Sequence, residues 1–219
     1  MTNQLIAGPA GALEVALDLP AGDAAPRALV VSAHPHPLHG GTMDNKVTTT
    51  LARACTSVGC AVVRFNYRGV GQSQGAFDNA RGEVDDAAAA LAWLQSQYSQ
   101  HSKHPNAVPL PVVLCGFSFG TAVVAQLAQR LPAHQLVAMV LAGAAVQRFA
   151  ADITVNPEHT LLIHGELDET VPLSETLAWC APQSMPVVVI PTADHFFNRQ
   201  LITLKQLAVR HLTACLGKV

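Results

Sequence analysis

Three residues far apart in the chain carry the types that acyl transfer requires: Ser118, Asp168 and His195. Ser118 sits in Gly116-Phe117-Ser118-Phe119-Gly120, directly after the apolar run VVLC and before the Ala/Val/Leu/Gln-rich stretch TAVVAQLAQ. A serine hydroxyl is a weak nucleophile and needs a base within hydrogen-bond reach. The pattern G-x-S-x-G is cheap by itself, and a serine there can merely cap a helix. Its placement between a strand and a helix adds the weight. A sharp turn there exposes the serine oxygen, flanking glycines let the backbones pass closely, and the helix N-terminus faces developing negative charge. His195, in IPTADHFFN, follows the last apolar run and precedes the final helical segment, where a base is expected. The acid should follow an earlier strand and fix the imidazole tautomer. HGELDETVP offers Glu166, Asp168 and Glu169, of which Asp168 lies just before a helix entry. Asp152 is the alternative, and Asp194, adjacent to His195, is the weakest candidate.

An oxyanion needs backbone donors. One is the N–H of Phe119, directly after the serine; the other is expected from His34-Pro35-His36-Pro37-Leu38-His39-Gly40-Gly41. Proline has no N–H, so Pro35 and Pro37 are excluded, leaving His36 or Leu38, and the prolines stiffen the loop. His34, His36 and His39 also form H-x-H-x-x-H, which invites a metal reading. The aspartate that usually accompanies such a trio is absent, because position 38 is leucine. No metal and no other cofactor is expected.

The elements that must hold these residues alternate along the chain. Strands are predicted at 13–19, 28–33, 61–66, 111–115, 136–141, 160–164 and 187–190, and helices at 46–58, 81–97, 119–130, 173–180 and 197–216. Nearly continuous apolar strands alternating with helices predict an α/β fold with a doubly wound, mostly parallel sheet of about 7–8 strands. Ligands of such sheets sit outside the carboxyl ends of the strands. In 13–19 apolar Leu13, Val15, Leu17 and Leu19 alternate with Glu14, Ala16 and Asp18, which predicts an antiparallel edge strand. The polar segment 99–109 is read as a solvated connection, its two histidines included.

The 219 residues are expected to form one domain over 1–219, and half of them are hydrophobic, enough for a large core. The net charge of −2 and the scattered Lys and Arg residues argue against nucleic acid as a partner. No apolar run reaches the ~18 residues of a membrane span. No signal peptide is read at the N-terminus, so a cytoplasmic location is the expectation. Five cysteines without a C-x-x-C pair are read as small buried hydrophobes, Cys115 among them.

Taken together, HPHPLHGG, NYRGVGQSQG, GFSFG, HGELDETVP and ADHFF resemble the α/β-hydrolase superfamily across nearly the whole chain. More narrowly they resemble small single-domain bacterial serine hydrolases whose first loop reads H-P-H-P. The resemblance implies a carboxylic-ester hydrolase with nucleophile Ser118, acid Asp168 and base His195, and a small-molecule ester as its partner. Proline at position 35 departs from the commoner H-G, and His36 stands where an H-G-x loop supplies its donor. Serine rather than aspartate as nucleophile argues against a haloalkane dehalogenase or epoxide hydrolase. Only residues 147–159 separate two of the strands where many relatives insert a helical lid, so no cap domain and an open site for short acyl groups are expected. Leu38, Phe117 and Phe196 are expected to touch substrate, Phe119 and Phe197 to lie near it, and Tyr67 and Arg68 to border it. Thioesterase or peptidase activity with the same three residues, or a catalytically silent binding protein, are the alternative readings.

Overall fold

The computed structural model describes residues 3–22, 24–99 and 109–217. Most of the predicted 99–109 connection, with its two histidines, lies outside the described residues. Eight strands form one sheet: β1 (Asn3–Gly8), β2 (Gly11–Asp18), β3 (Leu29–Ala33), β4 (Ala61–Phe65), β5 (Val112–Phe117), β6 (Leu136–Ala142), β7 (Thr160–Gly165) and β8 (Val187–Ile190). Their order is β1-β2-β4-β3-β5-β6-β7-β8, with β1 and β2 antiparallel to their neighbours and all pairings from β4 to β8 parallel. Among the described residues six α-helices accompany them: α1 (Lys46–Ser57), α2 (Gly82–Ser99), α3 (Phe119–Ala128), the single turn α4 (Val146–Phe149), α5 (Leu173–Cys180) and, after the last strand, α6 (Leu201–Leu216).

Strands β3, β4 and β5 are buried along their whole length, so both faces must be apolar. Side chains alternate across the sheet. Leu29, Val31, Val63, Phe65 and Leu114 therefore pack with α2 and α3 on one face. Val30, Val62, Val113, Cys115 and Phe117 pack with α1 and α6 on the other. Cys115 lies there against Cys55, sulfur to sulfur at 3.6 Å. Helix α1 begins where the Asn45 carboxamide oxygen accepts from the N–H groups of Val47 and Thr48, at 2.9 and 3.4 Å. Between β6 and β7 lie only α4, a short 3-10 turn (Pro157–His159) and loops, so no cap domain covers this edge of the sheet.

Two sequence expectations need correction. The 13–19 segment is antiparallel but is not the edge, because β1 pairs along it. Its Glu14 and Asp18 face inward, not toward water. Glu14 accepts from the side-chain amides of Asn66 (2.8 Å) and Asn3 (2.9 Å) and from the Gln72 N–H (2.9 Å). Asp18 meets the buried Arg64 guanidinium at 2.6 Å. Buried charge is tolerated only when paired or hydrogen-bonded in this way. The boundary of the fourth predicted strand, 111–115, also shifts, since β5 runs two residues beyond Cys115, through Phe117.

Candidate active site

Strand β5 ends at Phe117 and α3 begins at Phe119, which leaves Ser118 alone to make the turn. Its backbone is forced to φ 54° and ψ −121°, a region that costs a non-glycine residue roughly 1–3 kcal/mol. Neighbouring contacts hold it there. The Ser118 N–H donates to the Ala142 carbonyl at 2.9 Å, and the Ser118 carbonyl accepts from the N–H of Thr121 at 2.9 Å and from its hydroxyl at 2.5 Å. The Thr121 hydroxyl oxygen in turn accepts from the Ala145 N–H at 3.0 Å, tying the turn to the loop after β6. Gly120 permits the close approach of β3: a methyl group there would strike the carbonyl oxygens of Ala33 and His34.

The other two residues arrive from the ends of β7 and β8. His195 Nε2 lies 2.9 Å from Ser118 Oγ, and His195 Nδ1 lies 2.6 Å from Asp168 Oδ2. The second carboxylate oxygen, Oδ1, accepts from the N–H groups of Thr170 (2.9 Å) and Val171 (2.7 Å), which fixes the carboxylate plane. All three residues are nearly buried, with relative exposures of 7% for Ser118, 6% for Asp168 and 4% for His195. Burial alone pushes the Asp168 carboxyl upward. The His195 hydrogen bond, the Val171 N–H and the nearby His195 and His164 rings outweigh it and hold the group below the usual aspartate value. An ionised carboxylate against Nδ1 requires the proton on that nitrogen, so the lone pair of Nε2 faces the serine hydroxyl. An imidazole so placed can take the hydroxyl proton as the oxygen attacks a carbonyl. Asp152 is exposed, and Asp194 is occupied with Asn198, accepting from its N–H and side-chain amide at 2.9 and 2.7 Å.

The loop after β3 is anchored by a fully buried histidine. The N–H of Tyr67 donates to His34 Nε2 at 3.1 Å, so that nitrogen is the acceptor and Nδ1–H donates to the Pro35 carbonyl at 2.7 Å. The Tyr67 hydroxyl donates to the His34 carbonyl at 3.2 Å, and the two ring centroids are 4.1 Å apart. Burial drives the His34 pKa down to about 3, so the ring is neutral. With both ring nitrogens engaged, His34 cannot join His36 and His39 in the H-x-H-x-x-H metal set. Further along, the Leu38 N–H donates to its neighbour's ring, His36 Nδ1, at 3.2 Å. The His39 and Gly41 N–H groups donate to the His36 carbonyl, and that of Gly40 to the Pro37 carbonyl. Among the described residues the His36 and Phe119 N–H groups have no acceptor within the chain.

The expected substrate contacts divide. Leu38 and Phe196 are exposed, at 69% and 49%, and the Phe196 ring lies 5.2 Å from that of His195. Beside Phe196 opens a cleft of about 340 Å³ bordered by Thr42, Asp44, Asn45, Lys46 and Asn198. Phe117 does not line the site. It is wholly buried, and its ring backs the imidazole at 5.0 Å, so its place on the strand turns it toward α1 and α6. Phe197 and Tyr67 are wholly buried too. Arg68 is a structural anchor, gripping Asp86 through two nitrogens at 3.0 and 2.9 Å. Two rings were missed by sequence reasoning: Phe77 and Phe149, half-buried, gather with His36 over Phe119. Neither stands in a periodic pattern, and no local signal marks them.

A mostly parallel, doubly wound sheet with a serine on a strained strand-to-helix turn, and no cap, is the α/β-hydrolase fold. Residues 24–157 match the family described as "Serine aminopeptidase, S33". An α/β serine hydrolase homologue from Coxiella burnetii is 38% identical, with a TM-score of 0.80 over 96% of this chain and 97% of that one. A lidless α/β serine hydrolase from Xanthomonas campestris is 33% identical, with a TM-score of 0.85 over 97% and 94%. An uncharacterised protein of Rickettsia prowazekii is 45% identical over 125 residues, which are 57% of this chain and 48% of that protein, so the chain spans about half the length of that relative. The chain belongs to this α/β serine hydrolase family.

Proposed function

We propose that the protein hydrolyses small or short-acyl carboxylic esters through an acyl-enzyme intermediate. The observation that carries this reading is the unbroken line from Asp168 Oδ2 through His195 to Ser118 Oγ, at 2.6 and 2.9 Å. In the first half-reaction Ser118 Oγ attacks the ester carbonyl while its proton passes to His195 Nε2. Asp168 keeps the ring in the useful tautomer and stabilises the imidazolium. The N–H groups of Phe119 and His36 serve as oxyanion donors; the Leu38 N–H, spent on the His36 ring, does not. The leaving alcohol takes the proton from Nε2 as the carbon–oxygen bond breaks. A water molecule then loses its proton to Nε2 and attacks the acyl carbon; release of the acid returns a proton to Ser118. The missing cap supports a preference for small substrates, since a site open to water buries little of a long acyl chain.

The test is steady-state hydrolysis of p-nitrophenyl acetate together with labelling by a fluorophosphonate. The wild-type protein is expected to turn over the ester and to be labelled on Ser118. Ser118→Ala is expected to lose both while keeping its circular-dichroism spectrum and unfolding midpoint. A wild-type protein that neither hydrolyses the ester nor takes the label would overturn the proposal.

A further inference from the structure

The rings around Ser118 fall into two sets, and among the described residues no ring pair joins them. Phe117, Phe196 and Phe197 gather about His195. His36, Phe77, Phe119 and Phe149 gather on the other side, with centroids 4.8 Å (His36–Phe77), 5.0 Å (His36–Phe119), 5.7 Å (His36–Phe149) and 4.9 Å (Phe119–Phe149) apart. Phe119 is buried at 1% exposure, whereas His36, Phe77 and Phe149 keep part of their surface open. The second set is built on the two residues whose N–H groups serve as oxyanion donors.

Reaction geometry assigns the sides. A tetrahedral carbon on Ser118 Oγ carries three other groups: the oxyanion, the leaving oxygen and the acyl substituent. The leaving oxygen must lie near His195 Nε2 to receive its proton. The oxyanion points at the Phe119 and His36 N–H groups. The acyl substituent is left to extend away from the imidazole, over the side chains of the donor residues. We infer that the His36–Phe77–Phe119–Phe149 cluster is an acyl subsite that takes a planar aromatic group, so that arylacetyl and other aryl-acyl esters are preferred substrates. Aromatic rings favour offset-stacked or edge-to-face partners 4.5–7 Å away, and such a pair adds to what simple burial gives. A flexible alkyl chain of equal size gains the burial but not the pairing, and loses rotamer freedom as well. This inference rests on the serine-hydrolase reading above and deepens it.

Two measurements test it. The first compares kcat/KM for p-nitrophenyl phenylacetate and p-nitrophenyl octanoate, which share a leaving group and carry seven carbons each beyond the carbonyl. The wild-type protein is expected to favour phenylacetate about tenfold, and Phe77→Leu and Phe149→Leu each to cut that ratio about threefold to tenfold. Leu5→Ala, an exposed position on β1 away from the site, is expected to leave the ratio unchanged. The second needs no variant: benzyl boronic acid is expected to inhibit the wild-type protein about tenfold more tightly than heptyl boronic acid, because both bond Ser118, carry seven carbons and differ only in the group at the acyl position. Equal or reversed preference in the wild-type protein, or ratios that both ring variants leave untouched, would overturn the inference while turnover of the acetate and labelling of Ser118 stood. Loss of both of those would instead remove the reading beneath it.

Discussion

One methyl group added at Gly120 tests whether the two proposed oxyanion donors, the Phe119 and His36 N–H groups, are held in register by backbone contact. A Cβ there would lie 2.7 Å from the His34 carbonyl oxygen, and closer still to that of Ala33. Ordinary contact begins near 3.4 Å, so the first turn of α3 and the end of β3 must part by about 0.7 Å at the His34 contact alone. No side chain can swing aside, because both obstacles are backbone. Ala33 is held in the sheet opposite Gly116, and the His34 carbonyl is held by the Tyr67 hydroxyl. The displacement therefore falls between Phe119 on one side of the contact and His36 on the other, widening the gap between their N–H groups. Losing one oxyanion donor costs roughly 10²–10³ in kcat, and a misplacement of about 1 Å costs about 10². Gly120→Ala is accordingly expected to lower kcat for p-nitrophenyl acetate about a hundredfold. KM should change little, since the donors act on charge that appears only in the transition state. Overpacking is expected to cost about 1–3 kcal/mol in urea unfolding. A folded variant with kcat within twofold of wild type would refute the reasoning, as would a loss confined to KM.

Asp168→Asn keeps an oxygen for the Thr170 and Val171 N–H groups but turns an amide N–H₂ toward His195 Nδ1. The imidazole must then carry its proton on Nε2, facing Ser118 with a donor. A fall of about 10⁴ in kcat is expected, as in triads generally, with little change in the unfolding midpoint; a larger loss from Asp152→Asn than from Asp168→Asn would show the acid to be misassigned. Glu14→Gln addresses stability. Burial raises the Glu14 carboxyl, but hydrogen bonds from Gln72, Asn66 and Asn3 outweigh it and hold the group below its usual value. A depressed carboxyl contributes stability that is complete above its unfolded pKa of about 4.3 and lost as pH falls through the lower folded value. The wild-type advantage over Glu14→Gln in urea unfolding is therefore expected to be largest at neutral pH and to shrink below about pH 4; an advantage of equal size at pH 7 and pH 3 would contradict this.

The parallel strands were legible because residues buried on both faces leave continuous apolar runs, as LVVSA and VVLC do. The edge of the sheet was not, and the reason is chemical. The alternation of Glu14 and Asp18 with apolar residues reads as an edge strand, yet both carboxylates are satisfied inside the fold, Asp18 by Arg64 46 residues away and Glu14 mainly by Asn66 and Gln72, 52 and 58 residues away. No local window contains those partners. The segment that becomes β1 is largely exposed and gains its strand character from pairing with β2. Chain order and loop position singled out Ser118, Asp168 and His195, which the fold brings within hydrogen-bond reach. Phe117 misled because nearness in sequence to Ser118 was read as nearness to substrate. The strand period carries more information: Val113, Cys115 and Phe117 share one face, and Ser118 leaves the strand at the turn. Phe77, in the loop before α2, and Phe149, at the end of α4, each reach Phe119 only through tertiary packing.

In the H-P-H-P loop, two prolines and a buried histidine restrict the backbone that carries the proposed oxyanion donor His36. Proline at 35 and 37 removes two N–H groups that would compete for an oxyanion and fixes φ at both positions. The Leu38 N–H is taken by the His36 ring, and those of His39, Gly40 and Gly41 by carbonyls of the same loop. From Pro35 to Gly41 this leaves, among the described residues, the His36 N–H as the one without an acceptor in the chain, which is why it is the proposed partner of the Phe119 N–H. Its position is set from beneath by His34, which is locked to Tyr67 through two hydrogen bonds and a ring contact and is too deeply buried to take a proton near neutral pH. Donors fixed before substrate arrives need no reorganisation as charge develops, which is the condition under which they lower a barrier most. Proline fits position 35 for a simpler reason. There the backbone contributes a carbonyl, which accepts from His34, and no N–H is called for.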